Sequence, residues 1–383
     1  MRQTPAATAR EKLVYVIHDL DIGGVEVALL SAIPALCARY DLRVVALGYI
    51  NPALLSGLSP AEQKVFTVFD CPTSRMPFQA HKIVAHIRAL NPDILVCSLW
   101  RSSWIGAKVK ARVPGIRLYA FIHSTRYFHR LDRFYSRLAM RRADVVLVDA
   151  QSTRAFVERQ LKGKEKPIGV VSFMTHPSPP ANPHIGRARQ FKDRTVRFLF
   201  IGSLSKVKNI PDAIRLVAAL KERGHDVCFD LYGRPRDSYE ETLALIKKLE
   251  LESVVRYRGP LDPAERFSVF TRYDVYLQLS YFEGMAMSVA EAMQYGMVCV
   301  VTPVGEIPHY AKDGVSAIFV HGQMASPGEE TLSRIQRVIS DTAQYDWISA
   351  HAFQYFQGKP CYADSLIAHL SENKVLDEDI LGR

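Results

Sequence analysis

The sequence of 383 residues predicts an α/β chain of two doubly wound units of about equal size. Three observations predict it. Short β-branched apolar runs alternate with helix-like segments, the pattern of a parallel sheet covered on both faces. The alternation lapses once, at THPSPPAN over residues 175–182, where Pro and Ser fill half the positions and no periodicity survives. Beyond that it restarts. The length suits this division, at roughly 100–200 residues per domain.

In chain order, residues 12–18 read as a buried strand, 19–24 as a glycine turn and 25–38 as an apolar-periodic helix. Strands follow at 42–47, 94–98, 118–123 and 145–149, the last three each after helix-like sequence. In the second half the reading is strand 196–201, helix 210–223, strand 227–232, helix 238–249, and strands 254–257 and 275–279. Helix 286–295 and strand 298–302 close the series. We therefore expect an N-terminal domain at 1–178, a C-terminal domain at 179–350, and a helical segment at 351–383 that returns toward the first domain. Ligands of such sheets bind beyond the carboxyl ends of the strands, which directs the search to the gap between two facing units.

Composition narrows the function. Hydrophobic residues make up 48% and charged residues 23%, ordinary for a globular protein. No apolar stretch reaches the ~18 residues of a membrane span, and MRQTPAATAREK has no apolar core of a secretory signal. The six cysteines show no C-x-x-C pair, which argues against a disulfide framework or structural zinc and fits a reducing cytoplasm. Net charge is +10, but residues 1–190 carry 27 Lys/Arg against 13 Asp/Glu and residues 191–383 carry 22 against 26. The basic first half points to an anionic partner. Neither G-x-G-x-x-G nor a P-loop occurs, which disfavours a nicotinamide dehydrogenase or a P-loop NTPase.

The stretch most suggestive of chemistry is 280–296, SYFEGMAMSVAEAMQYG. A strand end, a glycine turn and a helix follow one another, and Gly296 suits the helix's C-terminal stop. The first amides of that helix, about Met285, Ala286, Met287 and Ser288, lack intrahelical acceptors and form an anion site. Small residues at 284 and 286 let an anion come close. Glu283 and Glu291 flank the helix end and suit neutral sugar and ribose hydroxyls. The alternative reading makes Glu283 a helix-start acid and Glu291 part of a solvated face.

This stretch resembles the E-x7-E motif of retaining GT-B glycosyltransferases, in particular glycosyltransferase family 4 (glycosyl transferases group 1). Further matches run in order along most of the chain: Gly23-Gly24-Val25-Glu26, Phe121-Ile122-His123, the loop from Gly202 to Asn209, Asp230 to Gly233, Val255 to Leu261, and Thr302 to Pro308. The resemblance implies the GT-B fold, two Rossmann-like domains facing across a cleft, and transfer of a hexose from a UDP- or GDP-sugar to a hydroxyl acceptor with retention. It implies that Glu283 holds donor-sugar hydroxyls, Glu291 the ribose, and Lys208 the diphosphate. Gly202 and Ser203 would flank that diphosphate, amides of Gly284 to Met287 would meet it, and Gly233, Arg234, Pro260 and Leu261 would line the base. Gly23 and Gly24 would admit the diphosphate and acceptor, and His123 would face the sugar. Glu283, Lys208 and His123 are the catalytic candidates. No cofactor and no metal are expected. Two departures stand out: the family's Arg in its G-R-L loop is Ser203, and the second glycine of V-G-G-x-P is Glu306.

Asp19 and Asp21 form a D-x-D, but in the first strand-to-helix loop, where a metal role is not expected. Residues 126–142 predict an amphipathic helix. Its apolar face would carry Tyr127, Phe128, Leu131, Phe134, Tyr135, Leu138 and Ala139, with Arg126, Arg130, Arg133, Arg137 and Arg141 on or beside the other face. One reading packs it on the sheet with a solvated basic side. The other offers it to anionic lipid or a phosphorylated acceptor. The expected partners are thus a nucleotide-sugar, a lipid-linked or surface-polysaccharide acceptor and an anionic membrane surface, but no nucleic acid. The expected location is the cytoplasm, with the inner face of the cytoplasmic membrane as the site of peripheral attachment. Competing readings are a GT-B epimerase or hydrolase, a basic binding protein, and an inactive partner subunit.

Overall fold

The computed structural model describes residues 10–21, 23–262, 265–322 and 328–371. The chain divides at Pro177/Ser178 into two units, and the first takes back the chain from Lys359. Unit 1 runs β1 (Lys12–Ile17), α1 (Gly24–Arg39), β2 (Asp41–Ala46), α2 (Pro60–Gln63), β3 (Phe66–Val68), α3 (Met76–Ala89), β4 (Ile94–Ser98), α4 (Trp100–Arg112), β5 (Arg117–Ile122), α5 (Arg130–Arg142), β6 (Val145–Val148), α6 (Gln151–Leu161) and β7 (Ile168–Val170). Its sheet order is β3-β2-β1-β4-β5-β6-β7, all parallel.

The near-continuous apolar strands are explained by burial on both faces. Alternate residues of β1 enter opposite cores. Leu13, Tyr15 and Ile17 pack with Leu29, Ile33 and Leu36 of α1. Val14 and Val16 pack with Ile83 and Ile87 of α3 and Ile105 and Val109 of α4.

Unit 2 comprises β8 (Val196–Ile201), α7 (Ile210–Glu222), β9 (Val227–Tyr232), α8 (Tyr239–Lys248), β10 (Val255–Gly259), β11 (Val275–Gln278), α9 (Met287–Gln294), β12 (Val298–Val301), α10 (Ile307–Tyr310), β13 (Ile318–Phe319), α11 (Glu329–Ser340) and α12 (Thr342–Phe356). The sheet order is β10-β9-β8-β11-β12-β13, again all parallel. Phe198 and Phe200 of β8 meet Ile214 and Val217 of α7 in the core.

The domain limit expected at residue 350 falls inside α12, so the second domain is longer than the sequence suggested. The physical reason is that α12 is fastened to unit 2. The Tyr345 hydroxyl donates to the Asp274 carbonyl at 2.7 Å, and Ser349 Oγ to the Gly296 carbonyl at 2.6 Å. The last described helix, α13 (Tyr362–Ser371), packs in unit 1 beside α1. The Tyr362 amide donates to the Met174 carbonyl at 2.7 Å, and Ser365 Oγ accepts the Ser172 amide at 3.0 Å. Residues 372–383 lie outside the described residues.

The helix expected over 126–142 is corrected twice. It starts at Arg130, because His129 caps it: His129 Nδ1 accepts the Asp132 amide at 3.1 Å. It also presents a different face. The buried side carries Asp132, Ser136, Ala139 and Met140, while Phe128, Leu131 and Phe134 are exposed. Small residues let α5 lie close on α4, where Arg142 Nη1 donates to the Ala107 carbonyl at 2.9 Å and Trp104 stacks on Tyr135 at 4.7 Å.

Candidate functional site

In unit 2, β8 and β11 are sheet neighbours whose outgoing connections lead to opposite sides. This is the point where strand order reverses and where such sheets hold ligands. After β8 the chain passes Gly202 and Ser203 to a single 3-10 turn, Lys206–Lys208. After β11 it passes Ser280 to Glu283. The Tyr281 amide donates to the Val207 carbonyl at 2.9 Å and ties the two loops together. Lys208 Nζ consequently sits 2.7 and 2.9 Å from the two carboxylate oxygens of Glu283. Gln278 Nε2 donates to the same carboxylate at 2.8 Å. Glu283 is only 7% exposed, so its charge depends on Lys208; a buried charge without its partner is strongly destabilising.

The loop after β12 completes the wall. Gly305 has φ +63, and a Cβ there would lie 2.4 Å from the Glu283 carbonyl oxygen, so only glycine fits without a shift. The Glu306 amide donates to the Gly284 carbonyl at 2.9 Å, and the Glu306 side chain is buried.

The helix start differs from expectation. Ala286 is the N-cap of α9, in the left-handed region at φ +52, a conformation that costs an L-residue about 1 kcal/mol. Helical conformation begins at Met287, so Met285 and Ala286 precede the helix and only Met287 and Ser288 supply first-turn amides. The Tyr310 hydroxyl lies 3.3 Å from the carbonyls of both Met285 and Ala286. The Ser288 hydroxyl is engaged by Tyr276, 2.8 Å away. At the other end, the Gly296 amide donates to the Met293 carbonyl and the Met297 amide to the Ala292 carbonyl, a Schellman stop.

Glu291 is 5% exposed, which removes the reading of a solvated face. Its Oε1 accepts from Arg266 Nε at 3.1 Å and Nη2 at 2.7 Å. Its Oε2 is buried with no hydrogen-bond partner among the described residues. Burial pushes the carboxyl's pKa up, and Arg266 opposes that rise. The remaining candidates gather at the same end of the sheet. The Gly202 amide donates to the Tyr232 carbonyl, the Gly233 amide to the Gly259 carbonyl and the Leu204 amide to the Arg234 carbonyl, each at 2.9 Å. A Cβ at Gly233 would fall 1.7 Å from the Gly202 carbonyl oxygen. Pro260 and Leu261 leave β10 beside them, Pro260 exposed. Sequence reasoning missed Arg266, Gln278 and Tyr276. Gln278, a polar residue ending the apolar run of β11, offered a signal; Arg266 offered none.

Unit 1 has its own polar cluster at the carboxyl ends of three adjacent strands. His123 Nδ1 lies 2.9 Å from Asp149 Oδ2, and its Nε2 lies 2.7 Å from Ser98 Oγ. An ionised carboxylate only accepts, so Nδ1 is the donor toward Asp149, and Nε2 shares a hydrogen bond with the Ser98 hydroxyl. Nearby, His18 Nε2 accepts the Arg101 amide at 2.6 Å. Burial holds the His18 pKa down at about 3, with the Arg101 charge adding to the effect. Gly23 caps α1 and Gly24 opens it. Glu26 lies in the first turn, its carboxyl pKa raised by burial. Asp19 accepts the Tyr49 amide at 3.1 Å and Asp21 accepts from Asn51 Nδ2 at 3.2 Å, so both carboxylates anchor the loop after β2. Among the described residues no group of three His, Cys, Asp or Glu side chains is placed to hold a metal. None of the described helices is long and apolar enough to cross a membrane.

Comparison with known proteins bears on the fold and on the two units separately. The family model described as glycosyl transferases group 1 matches residues 184–353, and that described as Glycosyltransferase Family 4 matches residues 22–172. The D-inositol 3-phosphate glycosyltransferase of Corynebacterium aurimucosum is 26% identical over 186 residues, 44% of this chain and 42% of that protein. Its Corynebacterium diphtheriae counterpart is 30% identical over 128 residues, 32% of this chain and 30% of that protein. The chain thus aligns with less than half the length of these curated relatives. Among solved structures, Anabaena HepE in complex with UDP and glucose superposes with a TM-score of 0.75 at 19% identity, covering 94% of this chain and 100% of that one. Sucrose-phosphate synthase from Thermosynechococcus elongatus gives 0.70 at 14% identity, over 94% and 99%. Two parallel Rossmann-like sheets and this fold likeness give the chain the GT-B fold, and two glycosyltransferase family models match its two units in succession.

Proposed function

We propose that the chain transfers a hexose from a UDP- or GDP-sugar to a hydroxyl of a lipid-linked or surface-polysaccharide glycan, with retention of configuration and without a divalent metal. The observation that carries this is the Lys208–Glu283 pair across β8 and β11, together with Glu291, whose Oε2 is buried with no hydrogen-bond partner among the described residues. A diphosphate arriving at Lys208 and the first amides of α9 would draw the lysine off Glu283. The freed carboxylate oxygens then accept hydrogen bonds from sugar hydroxyls, and Glu291 Oε2 accepts one from the ribose. The acceptor oxygen bonds to the anomeric carbon, the bond to the diphosphate breaks, and the acceptor's proton leaves with the diphosphate. Lys208 and the amides stabilise the charge that develops there. To His123 we assign contact with the transferred sugar, on the resemblance alone. We place the protein in the cytoplasm, attached at the inner face of the membrane.

The neighbour HepE was crystallised with UDP and glucose, which supports a uridine donor as the first to try. The test is a thermal-shift screen against UDP- and GDP-sugars, followed by a product assay with glycan acceptors. A donor that binds only the folded state raises the melting temperature. Donor consumption without any acceptor would instead identify a hydrolase or epimerase. No shift with any nucleotide-sugar would remove the proposal.

A further inference from the structure

The two carboxylates beside α9 are held in different ways, each by a group from outside the stretch 283–291. Gln278 Nε2, at the end of β11, donates to Glu283 Oε1 at 2.8 Å, and Gln278 Oε1 accepts from the Tyr276 hydroxyl at 3.0 Å. Glu283 already has Lys208 to balance its charge, so a neutral amide serves as its second partner. Glu291 has no lysine. Its cation is Arg266, which stands between β10 and β11, 25 residues earlier in the chain. Arg266 Nε and Nη2 both donate to Glu291 Oε1, at 3.1 and 2.7 Å. An arginine fork commonly takes both oxygens of a carboxylate, and at the fully buried Asp274 Arg194 does so: Nη1 lies 2.7 Å from Oδ2 and Nη2 2.8 Å from Oδ1. At Glu291 the fork closes on one oxygen, and Oε2 is left buried with no hydrogen-bond partner among the described residues. The elements packed against α9 (β11, β12, α10 and α12) send no charged side chain to this carboxylate among the described residues. Its titratable neighbour is Tyr295, at the end of α9, whose pKa is raised by burial and then by the Glu291 charge.

We infer that Arg266 is a positioning residue for the donor: it holds Glu291 by one oxygen, so that the other stays an ionised acceptor for a ribose hydroxyl. The inference rests on the donor site proposed above. A ribose hydroxyl is neutral, so it pairs with Oε2 without displacing the arginine. An ionised carboxylate is also the stronger acceptor. Burial pushes the Glu291 pKa up, and Arg266 opposes that rise. Without the arginine the carboxyl takes up its proton at a higher pH and becomes a donor where the site needs an acceptor. Arg266 thus acts through Glu291 and touches no reacting atom.

The experiment is calorimetry of the full chain with UDP and GDP, and with their dideoxyribose forms, which lack both ribose hydroxyls, over a range of pH. The parent should bind one of the two nucleotides, and bind it more tightly than its dideoxy form. In Arg266→Met that nucleotide should bind about tenfold more weakly, while the dideoxy form binds as it does to the parent. Affinity for the full nucleotide is present above the Glu291 pKa and lost below it. Removing the cation raises that pKa, so the pH at which affinity is lost should move up. Arg266→Lys keeps a cation but not the fork. Its pH limit should stay near that of the parent and its loss of affinity should be smaller; it carries the same comparison where Arg266→Met does not fold, as melting temperatures will show. Equal losses for the nucleotide and its dideoxy form, an unchanged preference between them in the variants, or no preference in the parent would each overturn the inference while leaving a nucleotide site in place. A parent that binds neither UDP nor GDP would remove the donor site itself, and the role of Arg266 with it.

Discussion

The two units share one topology and diverge at the point where it matters. In both, a parallel sheet reverses strand order between its first strand and its fourth; the polar cluster lies at that point in unit 2 and across the ends of β4, β5 and β6 in unit 1. In unit 1 the chain Ser98–His123–Asp149 is a closed relay whose imidazole has both nitrogens occupied. In unit 2 the cluster is built on paired charges: Lys208 and Glu283 neutralise one another, Arg266 holds Glu291 Oε1, and Glu291 Oε2 is buried with no hydrogen-bond partner among the described residues. A closed relay fixes geometry. A charged pair with an open acceptor beside it can exchange its internal partner for a ligand. The same topology thus carries a fully bonded polar chain in one unit and a buried ion pair in the other.

The largest effect expected is acid destabilisation, felt in both units. Burial holds His18 of unit 1 and His184 of unit 2 down at about pKa 3. Between pH 6.5 and 3 the unfolded chain binds protons that these native imidazoles refuse, so stability is full above 6.5 and declines as pH falls. The loss amounts to several kcal/mol per histidine across that window on an order-of-magnitude basis. Urea denaturation from pH 7 to 4 checks it, and His18→Gln should flatten the slope of the unit 1 transition. An unchanged slope would show that His18 is protonated in the native state.

Next comes the charged pair. Lys208→Met leaves Glu283 buried and unpaired and should cost about 3 kcal/mol of stability. The double variant Lys208→Met/Glu283→Gln should recover most of it, because both charges are gone. If the two single losses simply add, the pair is not coupled and the contrast between the units fails.

Glu291→Ala should lower donor affinity by about 10- to 150-fold, the worth of a hydrogen bond to a charged group, as read by calorimetry with the donor found in the screen. Unchanged affinity in a folded variant would mean that the open Oε2 is not a ligand contact. The smallest effect belongs to the closed relay: Asp149→Asn removes a charge but keeps an acceptor for His123, and should cost about 1 kcal/mol. A loss as large as that of Lys208→Met would show that unit 1 also depends on charge.

Much of this was legible in residue order. Strands β4, β8 and β9 lie where the apolar runs put them, because strands buried on both faces must be apolar throughout. The short strands β3, β7 and β13 were not foreseen: two or three residues carry no period, and only pairing with a neighbour makes them strands. Glu283, Glu291 and Lys208 were singled out through the resemblance to the family's motifs. Arg266 was invisible, since nothing in its own segment says that it reaches Glu291 at a distance of 25 residues.

The sequence by itself determined the two α/β units, the glycine loops at strand ends and the acidic pair around α9. These follow from local periodicity and from short-range backbone chemistry, which the order of residues states directly. Only the tertiary structure decided that Lys208 grips Glu283, that Ala286 stays outside the helix, and that α5 turns Ser136 and Ala139 inward and Phe134, Arg130, Arg133 and Arg141 outward. Those outcomes depend on which surfaces lie close enough to exclude water. An amphipathic pattern says that a helix has two faces; the shape of its neighbour selects the one that is buried.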